Sequence, residues 1–300
     1  MRALTFHDFV ALIGDRFGKF DVPCPLCASL YNPRKKVLRI WRETESFLGY
    51  HCARCGESGW ARDGGSIARP SPEHLAAVRQ EATARDAQER ADSLRKAQGL
   101  WSQRQPVEAV SAAWVYVRDF RAYQGPIPPT LGALPASTKY PPALIAAFGF
   151  AIEPGFADGP EPGVLTISDD AIHGVHLIQL QADGRDRLRT PDAKKSIGRG
   201  CTGTPIILAP MNDLLGLIVT EGIENGLTLY EATGCGVWVS GGASRLPALA
   251  AAVPDWTDCI TVWADDDPDG LRHARELRNR LAARGLTVEL KLLTERRAVA

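Results

Sequence analysis

Four carboxylates stand close together near the C-terminus, at Asp265, Asp266, Asp267 and Asp269, with Gly270 behind them. They follow the apolar run Ile260-Thr261-Val262-Trp263-Ala264. Upstream, a second apolar run, Leu217-Ile218-Val219-Thr220, leads into Glu221-Gly222-Ile223-Glu224. Crowded carboxylates repel one another, and a divalent cation cancels that repulsion. Hard oxygen donors with no histidine beside them suit Mg²⁺ or Mn²⁺ rather than zinc. An ion of that kind orients a phosphate, activates a hydroxyl and stabilises a leaving oxygen. The plainer alternative is a helix N-terminus rich in Asp, favoured by capping and the helix dipole. A matching acid at another strand end favours the metal, held by Glu221, Asp265 and Asp267. Gly222 is expected to permit a sharp turn and Gly270 to open the way into the next helix.

Two further sets of residues carry chemistry. Cys24, Cys27, Cys52 and Cys55 form two Cys-x-x-Cys pairs separated by 24 residues. In an intracellular chain that spacing points to a closed, structural zinc site rather than to disulfides. His51 abuts Cys52 and is a second-choice ligand. Cys201, Cys235 and Cys259 read as small apolar residues. The other set is basic: Arg185, Arg187, Arg189, Lys194, Lys195 and Arg199, opposed by Asp186 and Asp192. Lys and Arg together number 35, and so do Asp and Glu, so any phosphate-binding surface must be local. The cluster suits nucleotide or template phosphates; a solvated charged hairpin is the alternative. Ser240-Gly241-Gly242-Ala243-Ser244 either offers amides to a phosphate or makes a tight strand-to-helix turn.

These residues need elements to hold them. From Leu214 onward short apolar strands (214–220, 236–240, 260–264, 287–292) alternate with helices (223–233, 244–252, 271–284). That pattern predicts an α/β unit of three layers with a mainly parallel sheet, which binds ligands at the carboxyl ends of its strands. Near the N-terminus Phe6, Phe9, Val10, Leu12 and Ile13 mark a small helix. The runs Val37–Trp41 and Phe47–His51 between the cysteine pairs predict the hairpin of a zinc ribbon. Its cations (Arg34, Lys35, Lys36, Arg39, Arg42, Arg54) fit contact with single-stranded template. Its aromatics Tyr31, Trp41, Phe47 and Tyr50 read first as the core of a small fold and second as stacking platforms. Residues 73–104, rich in Ala, Arg, Glu and Gln, predict an exposed helical linker. From Pro106 an α+β block follows, with a short helix at 114–117 and strands at 163–167, 174–180 and 206–208. The expected division is 1–66, 67–105, 106–212 and 213–300.

Glu221-Gly-Ile-Glu224 after one strand and Asp265-x-Asp267-x-x-Gly270 after a later one resemble the Toprim domain of bacterial-type primases, topoisomerases and some nucleases. The resemblance covers roughly 214–293. It implies that Glu221, Asp265 and Asp267 hold catalytic Mg²⁺ or Mn²⁺ and that Glu224 supports them. A ribbon ahead of such a domain is the arrangement of bacterial and phage primases. The block with Gly174-Val175-His176-Leu177, and Trp114-Val-Tyr-Val-Arg118 before it, resembles the primase-like proteins of plasmids and prophages. The family implies primer synthesis on single-stranded DNA from NTPs, with a replicative helicase as a further partner. The chain departs from the pattern after its last strand, where Glu289 and Glu295 match no acidic motif and leave the second metal site without a counterpart. A Toprim nuclease or a non-catalytic DNA-binding accessory protein are the alternatives. A topoisomerase needs a nucleophilic tyrosine in a separate domain, and the six tyrosines mark none. No Walker A motif occurs. No run of eighteen apolar residues and no signal-peptide pattern occurs, so the chain reads as soluble and cytoplasmic, with no membrane partner.

Overall fold

Alternation of apolar and polar side chains organises the first part of the chain, and parallel βα units the last. We describe residues 4–27, 35–64, 72–150, 167–211 and 214–293 of a computed structural model. The chain divides into two bodies, 1–89 and 90–300. No described helix is long and apolar enough to cross a membrane.

In the first body, helix α1 (Phe6–Ile13) starts at a capping box in which Thr5 and Asp8 satisfy each other's amides. Strands β1 (Gly18–Pro23), β2 (Lys36–Thr44), β3 (Phe47–Cys52) and β4 (Ser58–Arg62) form an antiparallel sheet in that order. Leu38, Ile40 and Leu48 point to one face and meet Phe6, Phe9 and Ile13 of α1. The other face is open. Helix α2 (Pro72–Ser102) begins in this body and ends in the next.

The end of α2 is not an exposed linker. Ala97 and Trp101 are fully buried against Ile145, Ala147, Ile172, Val175 and Leu177. Few apolar residues mark this helix because only its last turns are covered. Beyond it, helix α3 (Ala112–Trp114) runs into a π-helical turn over Val115–Phe120. Strands β5 (Leu131–Leu134), β6 (Ala143–Gly149), β7 (Ile172–Gln179) and β8 (Lys194–Ile197) make an antiparallel meander. The expected strand at 163–167 lies, except for Ile167, outside the described residues.

The expected strand at 206–208 is β9 (Ile206–Ala209), but it does not join the middle sheet. It pairs antiparallel with β11 (Gly236–Val239), at the edge of the C-terminal sheet. That sheet also holds β10 (Gly216–Thr220), β12 (Cys259–Asp265) and β13 (Thr287–Leu293), in the order β13-β12-β10-β11-β9. The last four strands in sequence are parallel. Helix α4 (Ile223–Thr233) covers one face, between this sheet and the middle one, where Ile223 and Leu227 meet Tyr116, Val117, Ile178 and Leu208. A 3₁₀ helix (Ala243–Ala251) and α5 (Pro268–Ala283) cover the other, around Leu217, Val219, Ile260 and Val262. Gly226 of α4 sits so close to the sheet that a Cβ would lie 2.7 Å from both Leu208 and Val239.

Trp101→Ala should cost about 3–5 kcal/mol through the cavity it opens, read as a lower midpoint in denaturant unfolding of the 90–300 body. An exposed linker residue would change the midpoint little.

Candidate active site and zinc site

Leaving β10, the chain turns one way to β11 and, from there, crosses back to β12. The crevice outside the carboxyl ends of β10 and β12 is the place where an open α/β sheet binds ligands. Glu221 follows β10 directly, and Asp265 is the last residue of β12. The two are half-buried. Burial first, then the charge of Asp265, raises the Glu221 pKa. Burial also raises that of Asp265, with Asp267 and Glu224 adding to the rise and a hydrogen bond from Asn225 Nδ2 (2.9 Å) opposing it. Carboxylates raised by burial and by like charge at one strand edge, all oxygen donors, fit a hard divalent cation.

The three acids do not form a closed cage. Among the described residues, the one acidic or thiol set whose ligand atoms lie within 4.8 Å of one another is the cysteine set. Asp267 is exposed and serves as the N-cap of α5: its Oδ1 accepts from the Gly270 amide at 2.7 Å, and Pro268 occupies the first turn. The capping alternative and the metal reading therefore meet in one residue. The two glycines act differently from expectation. Gly222 has φ −105°, open to any residue, and no neighbour within 3.4 Å of a built Cβ. Gly270 is needed for space, because a Cβ there would come 3.1 Å from the Asp265 carbonyl.

Glu224 is the best-compensated acid. Its Oε1 receives Lys194 Nζ at 2.7 Å and the Tyr116 hydroxyl at 2.8 Å, with Arg121 at 3.8 Å. Burial pushes its carboxyl up, but the Lys194 charge and these hydrogen bonds outweigh burial and bring it to about 2. Tyr116 is buried, and its phenol stays protonated well above the ordinary range. The sequence marked Trp114–Arg118 as a helix, but not Tyr116 or Arg121 as partners of Glu224. Nothing in the sequence sets Asn225 apart as a partner of Asp265 except that it follows Glu224 directly.

Strand alternation separates the two predicted lysines. Lys194 and Ser196 share a face with their cross-strand partners Ile178 and His176, whereas Lys195 pairs with Leu177 of the opposite face. Both lysines border a cavity of about 210 Å³ with Glu221, His176, Ser196, Gly241 and Gly242. Neither Asp265 nor Asp267 borders it; Asp267 lines an outer groove with Asp266, Arg272 and Arg275. Arg187 and Arg189 line a second cavity with Arg121, Lys194 and Asp186, of about 570 Å³. Arg199 is exposed and borders neither cavity. The Ser240–Ser244 turn is taken up by the site itself. The Gly241 amide donates to the Glu221 carbonyl at 3.0 Å, and the Ala243 amide bonds to the Glu221 carboxylate.

In the first body, Cys27 and Cys52 Sγ lie 3.9 Å apart, as do Cys24 and Cys55. Zn–S bonds of about 2.3 Å in a tetrahedron set sulfurs about 3.8 Å apart, so the set fits zinc. Burial pushes the Cys27 thiol up to about 12; at Cys52 burial raises the value, but backbone amides bring it down to about 7. His51 is exposed, on the face opposite Cys52, and belongs to no ligand set. Of the predicted aromatics, Tyr50 packs on Phe9 at 4.5 Å, Trp41 lies on the open face, and Phe47 stacks on Trp60. Tyr31 and Arg34 lie outside the described residues. Arg42 is structural: it is buried, donates to the Gly14 carbonyl at 2.8 Å and lies over Phe6 and Phe17.

Because the folded Glu224 carboxyl lies below its ordinary value of 4.5, the stability it contributes is present above that pH and lost as pH falls toward about 2. Glu224→Gln should abolish this part of the acid dependence and cost about 3 kcal/mol at neutral pH, since Lys194 loses its partner. Thermal unfolding of both proteins between those pH values is the check. Zinc removal with a chelator should unfold the first body, followed by far-UV circular dichroism, and re-addition should restore it.

A comparison with curated proteins returns no match. Among solved structures, the zinc-binding and RNA polymerase domains of the Aquifex aeolicus primase align with 96% of this chain and 77% of theirs, at 13% identity and a TM-score of 0.38. That likeness is too loose to carry a conclusion. Residues 216–297, which contain both strand-to-acid junctions, match the family model of the Toprim domain.

Proposed function

We propose that the chain is a DNA primase or primase-like nucleotidyltransferase that makes short RNA primers on single-stranded DNA. The observation that carries the reading is the meeting of Glu221 and Asp265 at the carboxyl ends of neighbouring parallel strands, with Lys194 bordering both the cavity beside Glu221 and the arginine-lined one. The Toprim match over 216–297 supports it, as does the four-cysteine site earlier in the same chain.

Glu221, Asp265 and Asp267 would hold Mg²⁺ or Mn²⁺, which supplies activation of a 3′-hydroxyl and neutralisation of the leaving pyrophosphate. In the reaction the hydroxyl oxygen bonds the α-phosphorus, the bond to pyrophosphate breaks, and the hydroxyl proton leaves to solvent. Lys194, fixed by Glu224, attracts the triphosphate without swinging freely. Arg121, Arg187 and Arg189 bind nucleotide or template phosphates from the larger cavity. On the open face of the ribbon, Trp41 and Trp60 flank Gly49 in one cross-strand row, and Arg62 lies over the Phe47 ring at 5.8 Å. Exposed aromatics with cations beside them stack and hold single-stranded bases.

The test is primer synthesis by the full chain on random single-stranded DNA with labelled NTPs and Mg²⁺. Short RNA products are expected. Asp265→Ala combined with Asp267→Ala should abolish them while leaving zinc content and circular dichroism unchanged. Undiminished incorporation by the double variant would sink the assignment. Shortening of labelled DNA without NTPs would turn it to a nuclease, and absence of any metal-dependent activity to a DNA-binding accessory protein.

A further inference from the structure

The cavity beside Glu221 contains a group that the reading above leaves without a task. His176 on β7 is buried, with 6% of its surface exposed, yet it borders this cavity. Its Nδ1 lies 3.0 Å from Ser196 Oγ on the neighbouring strand. Nε2 has no hydrogen-bond partner among the described residues and is not sealed off as a buried unpaired atom. An accessible ring nitrogen on an otherwise buried histidine beside a cavity is free to meet a ligand atom. The surroundings define which atom. Lys194 and Arg245 are the cations acting on the ring, and Glu224 is the anion. Arg245 is itself fixed, donating to Cys201 Sγ at 3.1 Å and lying over the Phe148 ring. Burial first, then Lys194, pushes the imidazole pKa down to about 4, so the ring is neutral near pH 7.

Size narrows the choice. Sites for whole small molecules occupy roughly 300–1,000 Å³. At about 210 Å³ this cavity takes a substituent rather than an entire nucleotide. The turn at Gly241 (φ +67°) is pressed against the same ring, and a Cβ there would meet Phe148 at 2.7 Å and His176 Nδ1 at 3.4 Å. The backbone thus bears on the Nδ1 side of the imidazole and holds its plane, while Nε2 has no protein partner among the described residues.

We propose that His176 is a phosphate-positioning residue: Ser196 donates its hydroxyl proton to Nδ1, and Nε2–H donates to a non-bridging oxygen of a nucleotide triphosphate in the cavity beside Glu221. This rests on the nucleotide-transfer reading. Lys194 supplies the charge, and His176 supplies direction, since one N–H aimed from a rigid ring fixes one oxygen.

The experiment is calorimetric titration of the full chain with ATP and with inorganic triphosphate, each with Mg²⁺, alongside thermal unfolding of each variant. His176→Leu should weaken both ligands about tenfold, as expected for one hydrogen bond to a charged group. His176→Gln places an amide N–H near the same point and should recover binding to within about threefold. Ser196→Ala keeps the ring but frees its tautomer, and should weaken binding about threefold. Equal affinity in wild type and His176→Leu, with Lys194→Met weakened, overturns the histidine role and leaves the nucleotide reading standing. Absence of triphosphate binding by the wild type overturns both. If His176→Leu does not fold, the other two variants decide: rescue by Gln with loss in Ser196→Ala supports the proposal, and unchanged binding in Ser196→Ala overturns it.

Discussion

One oxygen ties the larger body together. Oε1 of Glu224 receives Lys194 from β8, Tyr116 from the π-helical turn and, more loosely, Arg121. A carboxylate placed between two sheets would be costly alone, and a lysine facing it equally so. Together they fix the antiparallel sheet to the first turn of α4. Because α4 begins just after Glu221, the same contact sets the position of the candidate catalytic edge against the basic surface. Tyr116 is placed by a π-helical turn, a wide turn of the kind that recurs near functional sites. Charge compensation here decides geometry more than it adds stability.

Around that contact the acids divide by their surroundings. Glu224 is neutralised and held ionised. Glu221 is raised by burial and then by the charge of Asp265, and Asp265 by burial with Asp267 and Glu224 adding to it. The difference is one of partners: Lys194 and Tyr116 bond Glu224 directly, whereas the other two have carboxylate neighbours and feel Lys194 only through its charge. A divalent cation would therefore be attracted to the raised pair and not to Glu224. Glu221 is further aimed by the Ala243 amide, and Asp265 by Asn225.

The strand-to-acid junctions were legible because both signals are local: an apolar run, then acids and glycine. The parallel sheet followed from the alternation of such runs with helices, and the zinc cysteines from spacing alone. What escaped depends on contacts distant in sequence. Ile206–Ala209 looks the same whether it pairs with β8 or β11. Lys194 and Lys195 are adjacent letters, yet β-pleating sends them to opposite faces. Trp101 belongs to a polar helix whose last turns happen to be covered. Trp60 and Phe47 form a pair only once β3 and β4 are in register. Gly270 is explained by the Asp265 carbonyl beside it, not by its own backbone angles.

The placement of β9 bears on where this fold can be cut. The Toprim match begins at residue 216, but the sheet begins at Ile206. A fragment excised at the family boundary would lose its border strand. The amides and carbonyls of β11 that pair with β9 would be bare, beside Val237 and Val239, which are now fully buried. An open apolar strand of that kind recruits other chains. The segment matched by the family model and the sheet itself are therefore offset by one strand, and a fragment that keeps the sheet whole begins before Ile206.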